Sequence, residues 1–472
     1  MSDHDREDGA RCPGGARDEA GDDPRSAPPA PSPDPGPAGL GRRDFLRTAG
    51  AGAGLLLSGG VAGLAAREPS SSQASLGAPA ISRQIPDVVV VGAGAFGGWT
   101  SYYLQEMGAR VVMVDKYGPA NSRATSGGET RGVRSSYGGR PVAELWMRWA
   151  NEAIARWKRF DEEWGERHLP RMFFSTGDLI LRESTEPILE ESMRIWDAMG
   201  VPYEVLDGDE VRYRWPVIGN TENVGIAVHE VNAGVVRARR AMEAVATVFT
   251  HGGGEVVVAE AAKPAAGARR VGEIELTPGD RLQGGTFVYA LGPWFPKVFP
   301  ELMGNKMRIP LGHTFYYGTP PGSNAYEWPH LPSYNVPGCT GWPALPPDNR
   351  GFRVRTGGRP PQDPDESVRW VDDEHFDRPL QILETWFPAL LRQPLLETRA
   401  CHYESSIGRN FIIDEHPDHP NVWIAGGGSA EAFKQGPVLG EYIAARVLGR
   451  DLEPELAEGF RIPDEEYEPP PP

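Results

Sequence analysis

Asp87-Val88-Val89-Val90-Val91 runs directly into Gly92-Ala93-Gly94-Ala95-Phe96-Gly97-Gly98. Trp99 to Met107 then reads as a helix and Arg110 to Asp115 as a second strand. This is a β-α-β unit with G-x-G-x-x-G at its first turn. Gly92 permits the tight turn, Gly94 lets the backbone approach a pyrophosphate, and Gly97 lets helix and strand pack closely. The start of the helix offers free N–H groups and a positive dipole end to phosphate. Asp115 ends the second strand, where a carboxylate accepts hydrogen bonds from ribose hydroxyls. The unit predicts an α/β chain with a Rossmann-type nucleotide-binding layer. It does not separate NAD from FAD.

The residues before this unit read as an address. Residues 1–40 hold eight prolines, six glycines and no Phe, Trp or Tyr, so they bury too little apolar surface to offset ordering entropy. Gly41-Arg42-Arg43-Asp44-Phe45-Leu46-Arg47 follows, then an uncharged run of nineteen residues, Thr48 to Ala66, with six glycines. Paired arginines, Phe-Leu and a weakly apolar run resemble a twin-arginine export signal, with the export machinery as partner. Cleavage after Ala66 and after Ala80 are both open. A single membrane anchor is the alternative, but the glycines make the run poorly hydrophobic, so no stable span is expected.

At 472 residues the chain has room for two or three domains. Its net charge of −17 argues against nucleic acid as a partner, since such a binder carries a basic face. Three cysteines are too few for a disulfide scaffold, and no metal ligands are assigned.

Four blocks choose among dinucleotides. Lys116-Tyr117-Gly118-Pro119 leads to Ser126-Gly127-Gly128-Glu129-Thr130-Arg131-Gly132-Val133-Arg134. Ala290-Leu291-Gly292-Pro293-Trp294 stands mid-chain. Near the end, Phe411-Ile412-Ile413-Asp414 precedes Asn421-Val422, a strand, Gly426-Gly427-Gly428 and Phe433-Lys434. In this order the blocks resemble the amine-oxidising flavoenzymes of the monomeric sarcosine oxidase and N-methyltryptophan oxidase family, from about Ile85 to Gly449. The resemblance implies FAD and a two-domain fold. A Rossmann-type FAD-binding domain (85–136, 225–295 and 401–450) interleaves with an α+β substrate domain whose mixed sheet roofs the flavin (137–224 and 296–400). Residues 451–472 read as a tail. Leu311–Tyr317 and Gly351–Arg355 look like strands; Met147–Trp164, Pro187–Met199 and Pro437–Leu448 look helical.

The resemblance also implies site residues. Cys401 lies ten positions before Phe411, the offset of the cysteine that links flavin covalently in relatives. A buried free cysteine and a Cys339–Cys401 disulfide are the alternatives. Arg134 and Lys434 match the pair that holds a substrate carboxylate: an arginine fork gives two hydrogen bonds, a lysine a point charge. Thr130 and Arg131 match residues beside the flavin ring and its phosphates. Lys116, Gly428 and Phe433 fall in cofactor-binding blocks, Tyr403 matches a tyrosine lining the substrate site, and Tyr137 another near the flavin. Three positions depart from the family. Arg353 stands where oxidases place a lysine over the flavin, Glu431 where they have histidine, and Gly127 likewise. Trp328, Tyr334, Trp342 and Phe352 read as sheet packing first and as a stacking surface second.

The expected reaction takes a hydride from a carbon bonded to nitrogen in an amino acid or N-alkyl amino acid. Oxygen, giving hydrogen peroxide, is the expected electron acceptor. A dehydrogenase or tailoring enzyme with another acceptor is one alternative, and a flavoprotein without turnover is the other.

Overall fold

The computed structural model describes residues 84–165, 170–347, 350–450 and 452–468. The export signal expected within 1–80 lies outside these residues.

The first layer is a six-stranded sheet in the order Ile412–His416, His419–Gly426, Thr286–Tyr289, Val88–Val91, Val111–Asp115 and Glu255–Val258. All pairings are parallel except that between the first two strands. Val88–Val91 is buried throughout because both faces of the sheet are covered. Side chains alternate along it. Val88 and Val90 pack into the cluster with Phe96, Leu104, Leu439 and Ile443 of two helices. Val89 and Val91 pack on the other face with Ile274, Leu276 and Leu282 of a hairpin and with Phe295 and Phe299. The helix Ala95–Glu106 follows the glycine turn, with Gly94 as its N-cap.

The second layer is an eight-stranded mixed sheet in the order Leu395–His402, Leu311–Tyr317, Phe352–Arg359, Cys339–Trp342, Ser333–Val336, Asp178–Arg182, Ile226–Glu230 and Tyr203–Leu206. Phe315, Tyr334, Phe352 and Val354 point into its own core with Leu383 and Phe387. Tyr334 and Phe352 stack at 5.2 Å and serve this sheet, whereas Trp328 packs edge-on against Phe174 in a separate small cluster.

Five expectations shift. The strand Ile226–Glu230 belongs to the eight-stranded sheet although it opens the 225–295 segment assigned to the FAD domain. Cys401 lies on a strand of that same sheet, paired across from Gly312. The last helix spans Ala432–Val447 rather than starting at Pro437, which places Lys434 in its first turn. The helix expected from Met147 already runs from Ala143 to Phe160. The segment read as a tail is docked as far as Glu468. Phe460 is buried against Phe411, Trp149 and Tyr442, and the Tyr467 hydroxyl donates to the Ser406 carbonyl at 2.9 Å.

Candidate active site

One cavity of about 380 Å³ connects the glycine turn to the roof sheet. Gly92, Gly94, Phe96, Asp115 and Lys116 line one end. Arg131, Arg134, Arg353, Arg355, Cys401, Tyr403, Gly428, Glu431, Phe433 and Lys434 line the rest. Gly97 lies beneath the turn and outside the lining. An added Cβ there would overlap the Gly92 carbonyl oxygen, and Gly92 itself sits at φ +113°. Gly97→Ala must therefore displace the turn, an overpacking cost of about 1–3 kcal/mol. The expected result is lower cofactor content in the purified protein and a lower melting temperature; unchanged cofactor content would contradict it.

The Asp115 carboxylate accepts from the backbone N–H groups of Ala93 (2.8 Å) and Tyr117 (2.9 Å), which ties it to the turn. Burial nevertheless pushes its carboxyl up from the ordinary value. Asp115 lines this end of the cavity, where its carboxylate would accept from a ribose hydroxyl. With the free N–H groups at the helix start and the glycine cradle, these residues fit a dinucleotide. Lys116 is held by Glu260 (3.1 Å) and Asp365 (3.5 Å).

Thr130 departs from expectation. Its hydroxyl accepts from the Trp342 indole at 2.9 Å and meets the Tyr316 hydroxyl at 3.1 Å. It positions Trp342 from behind and is absent from the cavity wall. Trp342 takes the wall position, with the Arg353 guanidinium 3.7 Å from its ring centre. Arg131 donates to the carbonyls of Thr130 (2.8 Å) and Thr125, and its Nη2 lies 3.5 Å from the Cys401 sulfur. Cys401 and Cys339 are both free thiols, so the disulfide alternative is not formed.

Glu431 anchors a buried charge cluster. Lys434 forms an ion pair with it, Arg140 Nη2 lies 2.7 Å from Oε1, and the Tyr137 hydroxyl donates to Oε2 at 2.6 Å. Burial pushes its pKa up, but the charges of Lys434 and Arg140 and the hydrogen bonds from Lys434 and Tyr137 outweigh that and hold it at about 2. The Trp157 indole fixes the Lys434 carbonyl at 2.9 Å. Ser429 and Ala430 adopt positive φ, +44° and +65°, just before this cluster. Two non-glycine residues in the left-handed region are a local strain of the kind that gathers at functional sites.

Arg134 lies 3.9 Å from Asp178, and Glu230 stands across the strand pair from Asp178. Glu230 accepts from the Ser135 amide (2.8 Å) and hydroxyl (2.6 Å), and burial pushes its pKa up to about 7. Sequence reasoning missed Arg355, Glu404 and Arg140. Arg355 was legible, because period two along a strand puts it on the face of Arg353. Glu404 lines the cavity and accepts from the Gly428 N–H at 2.8 Å, and burial pushes it to about 7. Nothing local marked it. Arg140 meets Glu431 across 291 residues, a contact only the folded chain shows.

Known proteins agree with this geometry. The family model for FAD dependent oxidoreductases matches residues 87–446. The chain is 27% identical over 371 residues to monomeric sarcosine oxidase of Arthrobacter sp. (strain TE1826), covering 76% of this chain and 91% of the relative. It is 26% identical over 368 residues to N-methyl-L-tryptophan oxidase of Yersinia pestis (strain Pestoides F), covering 76% and 94%. In fold it resembles the fructosyl amine: oxygen oxidoreductase (Amadoriase I) of Aspergillus fumigatus, with TM-score 0.68, 18% identity, and coverage of 82% of this chain and 91% of that one. L-proline dehydrogenase of P. horikoshii gives TM-score 0.67, 18% identity, and coverage of 79% and 96%. The glycine cradle, the roofed cavity and the match along 87–446 together make the chain a member of the FAD dependent oxidoreductase family, an enzyme whose cofactor is FAD.

Proposed function

We propose that the enzyme oxidises the C–N bond of an amino acid or N-alkyl amino acid and passes the electrons to oxygen. The observation that carries this is a cavity in which guanidinium groups gather opposite the nucleotide cradle, in a chain of net charge −17. Such a cavity is a local positive funnel for an anionic substrate. When bound, FAD supplies the acceptor for a hydride leaving the carbon attached to nitrogen. The chain's own residues orient the substrate and exclude water. No side chain needs to act as base if the amine arrives neutral, and the resulting imine hydrolyses after release. Oxygen takes the two electrons with two protons and leaves as hydrogen peroxide. Arg353 keeps a positive charge where relatives have lysine, which favours a developing anion there. Covalent attachment of the flavin through Cys401 belongs to the same reading, as does twin-arginine export.

The test is an anaerobic screen of amino acids and N-alkyl amino acids, following flavin absorbance. Bleaching by at least one of them is expected, followed by rapid recovery of colour and peroxide formation on mixing with oxygen. Absence of bleaching by any of them removes the amine-oxidising reading. Bleaching with slow reoxidation moves the enzyme to the dehydrogenase alternative. For export, residues 1–80 fused to a reporter that crosses membranes only when folded should deliver it outside the cytoplasm, and Arg42→Lys with Arg43→Lys should stop delivery.

A further inference from the structure

We propose that the substrate's carboxylate is held by Arg353 and Arg355 on the roof sheet, and that Lys434 does not hold it. The inference rests on the amine-oxidising reading of the cavity. Arg353 and Arg355 are two apart on the strand Phe352–Arg359, so they project from one face about 7 Å apart at their backbones. Val354 between them packs into the core on the other side. Both arginines line the cavity.

Neither has an acidic partner among the described residues. Arg353 is buried, its Nε and Nη1 have no hydrogen-bond partner, and Nη2 reaches only the Thr314 hydroxyl at 3.5 Å. Arg355 lies 5.8 Å from the Tyr403 ring centre. Burial, and then the charge of Arg131, pull Arg355 below its ordinary value; burial brings Arg353 to about 10. A buried guanidinium with unsatisfied N–H groups, as at Arg353, is costly unless an anion completes it. Gly312, across the sheet, makes room for one fork: a Cβ there would stand 3.0 Å from Arg355 Nη2.

Among the other cations of the cavity, Arg131 is turned onto the carbonyls of Thr130 and Thr125, and Lys434 and Arg134 each have a carboxylate nearby. Lys434 is paired with Glu431, which also holds Arg140. Arg134 faces Asp178. A carboxylate approaching Lys434 would meet the Glu431 carboxylate beside it, a like-charge contact that disfavours binding. A carboxylate on the roof meets two guanidinium groups, each able to give it two hydrogen bonds. The substrate is therefore an amine whose carboxylate lies on the roof side of the cavity.

The test uses the holoenzyme and unreactive probes: acetate, propionate and benzoate, with their amides as neutral controls. Binding is read from the perturbation of flavin absorbance. Wild type should bind a carboxylate and ignore its amide. Arg355→Met should weaken carboxylate binding about 30-fold or more, Arg355→Lys should recover part of it, and Lys434→Met should change it less than about 3-fold. A strong loss in Lys434→Met with none in Arg355→Met overturns the proposal, as does a wild type blind to all three carboxylates. An Arg355→Met protein that fails to retain flavin is replaced by Arg355→Gln, read in the same way. Failure here is distinct from failure of the amine-oxidising reading, because bleaching by an amine substrate is measured separately and survives a misplaced carboxylate.

Discussion

Glu431→Gln should lower the melting temperature by about 5 °C, the largest stability loss expected of any single polar substitution at this site. Glu431 is the one anion shared by Lys434, Arg140 and the Tyr137 hydroxyl. The side chains of Lys434 and Arg140 are only 12% and 6% exposed, so water cannot replace the lost carboxylate. Removing one partner of a buried ion pair costs about 3–5 kcal/mol, chiefly by stranding the charges left behind. For a body of this size, with about 2 cal/mol/K of unfolding entropy per residue, that is a shift near 5 °C. Glutamine keeps the shape, so a loss from packing alone would be small. A melting temperature within about 1 °C of wild type would mean that Lys434 and Arg140 find other partners.

The same cluster sets an acid limb. Folded, Glu431 loses its charge only near pH 2; unfolded, it does so near its ordinary value of 4.5. Its contribution is complete above about 4.5 and disappears as pH falls from there toward 2. Glu404 works in the opposite sense. Burial raises it to about 7, so the folded state favours its neutral form, and that contribution fades as pH rises from 4.5 through 7. Glu431→Gln should thus flatten the stability profile below pH 4.5 and leave the part above it parallel to wild type.

What the sequence revealed followed from local chemistry. The valine run, the three glycines and Asp115 specify the β-α-β unit by themselves, because each residue answers a local demand of turn, close packing or hydrogen bonding. Leu311–Tyr317 and Pro187–Met199 begin and end where their periodicity places them. The start of the last helix was misplaced because Pro437 reads as a first-turn proline, the position a proline prefers. Instead it lies inside the helix, five residues past a start set by the turn at Gly428. Thr130 was assigned to the cofactor from its block, but its hydroxyl is committed to Trp342 and Tyr316, 212 and 186 residues away. Glu431 was legible as a departure from the family pattern. That it would pair with Lys434 depended on the helix beginning at Ala432, which brings the two side chains together.

Cys401→Ala should release the flavin completely from covalent attachment while the protein still folds and binds FAD. The argument is electrostatic. Burial alone would push the Cys401 thiol up, yet the positive charges of Arg131, Arg399 and Arg369 bring it below its ordinary value. The Arg131 fork lies 3.5 Å from the sulfur. A thiolate is the nucleophile, so this environment prepares Cys401 to attack an electron-poor carbon. Cys339 is the internal control: it is buried outside the cavity lining, and burial pushes it up to about 11. A thioether from the Cys401 sulfur to FAD would form with loss of one hydrogen from each, oxygen taking the two electrons and two protons. In acid-precipitated wild type the yellow colour should stay with the pellet. Cys401→Ala should leave all of it in the supernatant, and Cys339→Ala should match wild type. Arg131→Met should give an intermediate result, a slower attachment with the final bond intact, because it removes the charge that lowers the thiol most and leaves the thiol in place. Colour in the wild-type supernatant would end the covalent assignment, and the lowered thiol pKa would then need another use.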